Sequence, residues 1–313
     1  MEPKRVLVTL PVEQSHVDRL KQSAPGWEFR FRGSDRLFSG TDLERPPVTQ
    51  EDVAWAQVIL GNAPAQIALW LFRALWLQTN SAGVEPYLQP GVLRETTLLT
   101  NATGAYGLAI SEYMLGGAAG AFEEIGALPG RPEAGDLGVP GQRGVGVRRH
   151  GAGAGHGGHR PGNLDSAARP WGPGSSGCGG VSAPPRLRRR GPHLEDLDEL
   201  LPQADVVAVT LPGTEATRGL LGRERIAQMK DGAVLLNVGR GYIVDTEALC
   251  DALESGKLAG AGLDVTDPEP LPGGHRLWRI PTAVVTPHVS GFYHLKETHR
   301  RIVNIMAENL KRF

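Results

Sequence analysis

Residues 233–245 read AVLLNVGRGYIVD, and this stretch decides the fold. The continuous apolar run AVLLN closes on Asn237, the pattern of a strand buried on both faces of a sheet. It breaks into a glycine-flanked arginine, Arg240, and a helix is expected over 246–255. Residues 261–271 (AGLDVTDPEPL) end a second strand, expected at 261–265, with Asp264, and set Glu269 before Pro270. Residues 284–291 (VVTPHVSG) end a third strand, expected at 283–286, and put His288 in a loop flanked by proline and glycine. Each group alone has an ordinary reading: a surface charge, a turn residue, a satisfied core histidine. An arginine, a glutamate and a histidine that all follow the C-terminal ends of strands point instead to the edge where open parallel sheets bind ligands.

Outward from there the pattern stays regular. A short helix is expected at 196–201, a buried strand at 205–211 (DVVAVTL), a helix at 223–229 and a closing helix at 295–310. Near the N-terminus, RVLVTL (5–10) and residues 53–60 read as strands and ALWLFRALW (68–76) as an apolar helix. Strands alternating with helices imply an α/β fold with mostly parallel sheets covered on both faces. The 313 residues suggest two domains, and 40% apolar residues suffice for cores. The 33 basic and 34 acidic side chains cancel, which argues against a nucleic-acid partner despite the run RLRRR at 186–190. The start MEPKRVLVTL lacks the long apolar centre of a signal peptide. The most apolar window, 105–122, is interrupted by Glu112 and glycines, so no membrane span is expected. Cys178 and Cys250 make no disulfide scaffold and suit a reducing, cytoplasmic compartment; Cys250 reads as a packed small apolar group.

Residues 126–193 break this order. They hold 19 of the 42 glycines, 9 prolines and 10 arginines, with no lysine, no isoleucine and Trp171 as the one aromatic. No stretch there has a helix or strand period, so the segment reads as disordered or misfolded, disrupting the second domain. A shifted reading frame accounts for it better than a linker does. With free choice of synonymous codons, residues 151–162 (GAGAGHGGHRPG) read one base later permit VLVLGTADIGR, a strand, a glycine turn and a helix start. Residues 146–150 likewise permit VYGAT, and residues 171–180 (WGPGSSGCGG), read two bases later, permit LGARVIGVRR, a following strand. As written, Gly153-x-Gly155-x-x-Gly158 matches a dinucleotide fingerprint only formally, since no buried strand delivers it.

With N-x-G-R-G, then L-D-V…E-P, then T-P-H in order over 194–313, the chain resembles the D-isomer-specific 2-hydroxyacid dehydrogenases. Residues 75–88 (LWLQTNSAGVEPYL) resemble that family's substrate loop, and 104–116 (GAYGLAISEYMLG) its interdomain helix. The resemblance implies two Rossmann-like or flavodoxin-like domains: a substrate domain, 1–98 with 291–313, and an NAD(P)-binding domain, 99–290, with substrate and nicotinamide in the cleft between. It implies reversible reduction of a 2-keto acid to a D-2-hydroxy acid with NAD or NADP, by a chain that is usually a homodimer.

The resemblance also assigns roles. Arg240 holds the substrate carboxylate or keto oxygen with a rigid fork of donors. His288 donates the proton as the ketone oxygen gains charge, and Glu269 orients the imidazole and favours its protonated form. Backbone amides of Ser81, Ala82 and Gly83 help bind the carboxylate. Leu211, Pro212, Val238, Gly239, Arg240, Asp264, His288 and Gly291 face the cofactor, Asp264 as acceptor for the carboxamide. Glutamate rather than glutamine at 269 suits keto-acid chemistry better than formate oxidation, where no proton need be delivered. Two other readings stay open: a catalytically inactive NAD-sensing module of corepressor type, and a non-functional frame-shifted product.

Overall fold

The computed structural model describes residues 4–33, 46–62, 74–122, 151–154, 176–178, 194, 197–291 and 295–313. In chain order the first elements are β1 (Arg5–Val8), α1 (Gln14–Ser23), β2 (Glu28–Phe31), α2 (Gln50–Trp55), β3 (Val58–Leu60), β4 (Trp76–Gln78), β5 (Leu98–Thr100) and α3 (Gly107–Phe122). Then follow β6 (Gly151–Ala154), β7 (Ser176–Cys178), α4 (Leu197–Leu200), β8 (Val206–Val209), α5 (Arg223–Gln228), β9 (Ala233–Asn237), α6 (Thr246–Glu254), β10 (Leu258–Leu263), β11 (Ala283–Val285) and α7 (Lys296–Arg312). The chain divides into two compact units, Met1–Ala105 with Tyr293–Phe313, and Tyr106–Phe292.

The first unit is a parallel five-stranded sheet in the order β2-β1-β3-β4-β5. Val6, Leu7 and Val8 are fully buried at its centre, as their unbroken apolar run predicts. Two expectations are corrected here. Residues 53–60 are not one strand: Thr49 and Asp52 form a reciprocal capping box that starts α2 and carries Val53 into a helix, leaving only Val58–Leu60 extended. The expected helix over 68–76 does not reach Trp76, which lies in β4 with its indole Nε1 donating to Thr100 Oγ1 at 2.8 Å. A short apolar run serves a buried strand or a helix equally well, and pairing with β3 and β5 decides between them. Residues 63–73 lie outside those described.

The second unit is a parallel six-stranded sheet in the order β11-β10-β9-β8-β6-β7. β9 occupies the residues its apolar run predicts, and Val234, Leu235 and Leu236 are fully buried. Cys250, on α6, is packed in the same core, where burial pushes its thiol up. β6 and β7 correct the reading that 126–193 holds no strand. Their small residues carry no side-chain period, but main-chain pairing with β8 specifies them: Gly151–Ala154 aligns with Val206–Val209, and β7 aligns with β6 in turn. The rest of 126–193 lies outside the described residues, including Gly155 and Gly158 of the formal fingerprint and the run at 186–190. Among the described residues no helix is long and apolar enough to cross a membrane.

In the first unit α1 packs on α7, and the rings of His16 and His299 meet edge to face at 4.5 Å. Burial, and then the neighbouring His16, push the His299 imidazole down to about 4; burial also lowers His16, against the pull of Glu13. Both rings are thus neutral when folded and take up protons when unfolded. Their stability is present above the ordinary histidine value of 6.5 and lost as pH falls toward 4. Calorimetry of the whole chain should therefore show a melting temperature that falls across this window, with a shallower fall in His299→Gln. Equal slopes in the two proteins would contradict the assignment.

Candidate active site

Register brings three strand ends into line. Asn237 of β9 pairs with Leu263 of β10, and Leu263 with Val285 of β11. Arg240, Glu269 and His288 each sit a few residues beyond that line, so they leave the sheet at one edge.

Asn237 is buried and shapes the turn after β9. Its Oδ1 accepts from Gly239 N at 3.0 Å and its Nδ2 donates to the Arg240 carbonyl at 3.0 Å. Glycine is required on both sides of Arg240 for space. A Cβ on Gly239 would lie 2.6 Å from the Leu211 carbonyl oxygen, and one on Gly241 would overlap the backbone of Thr266 and Asp267. The turn is thereby wedged between the ends of β8 and β10. Arg240 Nη1 donates to the Gly239 carbonyl at 2.8 Å, and its Cγ stands where a Cβ on Gly213 would crowd it at 3.0 Å.

The loop after β11 is folded around Asp264, just past the end of β10. The Asp264 carbonyl accepts from His288 N at 2.8 Å. Its carboxylate, 1% exposed as a residue, accepts from Thr286 Oγ1 (2.6 Å) and Val289 N (2.8 Å) on Oδ1, and from Ser290 N (3.0 Å) and Ser290 Oγ on Oδ2. His288 is held at φ 56°, in the left-handed region and alone in that among the non-glycine described residues. A backbone so placed persists only where its surroundings over-determine it. The result aims the imidazole at Glu269: His288 Nδ1 lies 2.7 Å from Glu269 Oε1. The side chains of His288 and Glu269 are 49% and 43% exposed, so the pair faces open space at the strand edge. With Nδ1 engaged by a carboxylate, Nε2 is the ring nitrogen outside that contact.

Of the other expected residues, Leu211 and Val238 are buried beside the turn, Pro212 is exposed, and the Pro212 carbonyl accepts from Thr217 Oγ1 at 2.9 Å. Gly291 lies against the Tyr106 ring, 3.4 Å from where its Cβ would stand. Ser81, Ala82 and Gly83 belong to the first unit. Ser81 Oγ donates to the Gly83 carbonyl at 2.7 Å, and Asn101 Nδ2 to the Ala82 carbonyl at 2.8 Å, which sets the shape of that loop. Sequence reasoning missed the supporting hydroxyls of Tyr113, Thr286 and Ser290. The one available signal was a set of hydroxyl residues beside apolar ones that have no polar need of their own. Among the described residues no group of histidine, cysteine, aspartate or glutamate could hold a metal.

Residues 181–290 match the family model described as D-isomer specific 2-hydroxyacid dehydrogenase, NAD binding domain. The chain is 41% identical over 129 residues to a hydroxypyruvate reductase of Blautia hydrogenotrophica, covering 41% of this chain and 39% of that protein. The match therefore spans about two-fifths of this curated relative's length. The crystal structure of the TT0316 protein from Thermus thermophilus superposes with a TM-score of 0.68 at 30% identity, over 98% of this chain and 95% of that one. That of a D-isomer specific 2-hydroxyacid dehydrogenase from Xanthobacter autotrophicus Py2, in complex with NADPH and MES, superposes at 0.74 and 23% identity, over 100% and 95%, a likeness of fold.

The close approach of Gly241 to the loop that follows β10 predicts that Gly241→Ala lowers the stability of the second unit by about 1–3 kcal/mol. The midpoint of urea unfolding reads this directly, and an unchanged midpoint would mean that the two loops do not pack so closely.

Proposed function

The chain belongs to the D-isomer-specific 2-hydroxyacid dehydrogenase family, and from that premise we propose that it reduces a 2-keto acid to a D-2-hydroxy acid with NAD or NADP. The observation that carries this reading is the 2.7 Å contact between His288 Nδ1 and Glu269 Oε1 at an open strand edge. Hydride arrival turns the ketone oxygen into an alkoxide, and a positioned imidazolium neutralises it by donating from Nε2. Glu269 holds the ring in one orientation and balances its charge. Arg240, at the same edge, supplies a fork of donors for the substrate's carboxylate or keto oxygen, and the amides of Ser81, Ala82 and Gly83 are proposed to bind the carboxylate.

The residues fit the nicotinamide end of a dinucleotide. The His288–Glu269 pair is half-exposed rather than sealed, and Leu211, Pro212, Val238, Gly239, Asp264 and Gly291 are proposed to line the cofactor beside it. The dinucleotide supplies the hydride, while this chain's residues hold the substrate and deliver the proton. Glyoxylate and hydroxypyruvate are the first keto acids to try, since a hydroxypyruvate reductase is among the chain's relatives. A cytoplasmic homodimer completes the proposal, supported by the family resemblance and by two cysteines that form no scaffold.

A second reading is favoured by one observation. β6 falls on the four residues that the shifted frame converts to VLVL, and β7 falls within the stretch it converts to LGARVIGVRR. Parallel sheets take branched apolar residues at such positions, and glycine weakens a strand. The chain as written is then a frame-damaged form of the enzyme. Nucleotide sequencing across codons 120–195, with peptide masses from the native protein, tests this, and one uninterrupted frame encoding these residues would contradict it.

For the principal reading, NADH oxidation with glyoxylate, hydroxypyruvate or pyruvate should fall by about a hundredfold or more in His288→Ala. An unchanged rate would remove His288 from the mechanism. NADH binding without turnover by the parent would favour a sensor instead.

A further inference from the structure

Asp264 raises a question of valence. An ionised carboxylate offers about four acceptor positions, and here Thr286 Oγ1, Val289 N, Ser290 N and Ser290 Oγ occupy two on each oxygen. All four donors come from the loop that carries His288. The Thr286 hydroxyl has one proton, and it goes to Asp264 Oδ1 at 2.6 Å. The Tyr113 hydroxyl, 2.8 Å from Thr286 Oγ1, must therefore be the donor in that contact. The chain of bonds has one direction: Tyr113 O–H to Thr286 Oγ1, Thr286 O–H to Asp264. Tyr113 sits on α3, which packs on β9 and β10, so the chain ties the loop to a rigid helix. Burial first, with the nearby Asp264 charge adding to it, raises the Tyr113 phenol above its ordinary value, so it stays protonated and able to donate.

We propose that Tyr113 is a positioning residue for His288, acting through Thr286 and Asp264. The inference rests on the proposed acid–base role of His288 for its kinetic consequence, but not for its structural one. Donors in series polarise one another, so the phenol strengthens the bond that Thr286 gives to the buried carboxylate. Loss of the phenol leaves Thr286 with an unmet acceptor site and loosens the loop. The β11 end and the left-handed His288 then lose the restraint that sets the distance to Glu269. Arg240 stands on the other side of β10 from β11, in a turn that Asn237 shapes, so substrate affinity should be spared.

The experiment compares Tyr113→Phe, Thr286→Val and Thr286→Ser in the whole chain. Hydrogen exchange should speed up in the peptide covering 284–291 in Tyr113→Phe and more so in Thr286→Val, with no change across 233–237 and recovery in Thr286→Ser. The downfield proton resonance of the His288–Glu269 hydrogen bond should broaden in the same two variants. In an active parent, kcat should fall about fivefold in Tyr113→Phe, the effect of one hydrogen bond, at unchanged KM for the keto acid. Unchanged exchange over 284–291 overturns the proposal, as does equal acceleration over 233–237, which would mean general destabilisation. A parent without turnover would count against the reductase reading alone, because exchange and resonance still decide the positioning role.

Discussion

Asp264 is buried at 1% exposure, and its charge is tolerated there because four donors replace the water it has lost. The placement of the loop that carries His288 follows from that exchange. The chain leaves β11 after Val285, because the Thr286 and Ser290 hydroxyls and the Val289 and Ser290 amides turn back to the carboxylate just past the end of β10. The turn forces His288 to a positive φ, and the same geometry brings its Nδ1 to Glu269. A loop residue gains the fixed placement of a core element because its anchor is itself in the core.

Much of this was legible in the amino-acid order. The apolar run 233–237, the prolines around Glu269 and His288 and the glycines around Arg240 all announce strands that end in polar turns, and β9 falls where its run predicts. Periodicity failed where two structures share one pattern. Val53 joined a helix because Thr49 and Asp52 cap it, and Trp76 joined a strand because β3 and β5 flank it. The supporting hydroxyls were invisible for a different reason. Tyr113 and Thr286 are 173 residues apart, and nothing local in either segment reveals that they meet. Long-range polar contacts of this kind follow from the packing of α3 on β10, which no window of sequence contains.

The contrast inside the second sheet is equally physical. β8, β9 and β10 are joined by aligned registers and a shared apolar core, with Val207, Leu235 and Leu263 all buried. β6 takes its place through main-chain pairing on both sides with only glycine and alanine in its sequence. The edge that carries Arg240, Glu269 and His288 lies on the well-specified side of the sheet, at β9, β10 and β11. Its geometry therefore does not depend on the weakest strands, whereas the first nucleotide-binding turn of such a fold would.

The handedness of the product tests the account most directly. Pyruvate or hydroxypyruvate incubated with NADH or NADPH and the whole chain, followed by chiral separation, should yield the D-2-hydroxy acid. Formation of the L-isomer, or no product at all from protein that retains the His288–Glu269 contact, would contradict the assignment of this edge to D-specific keto-acid reduction.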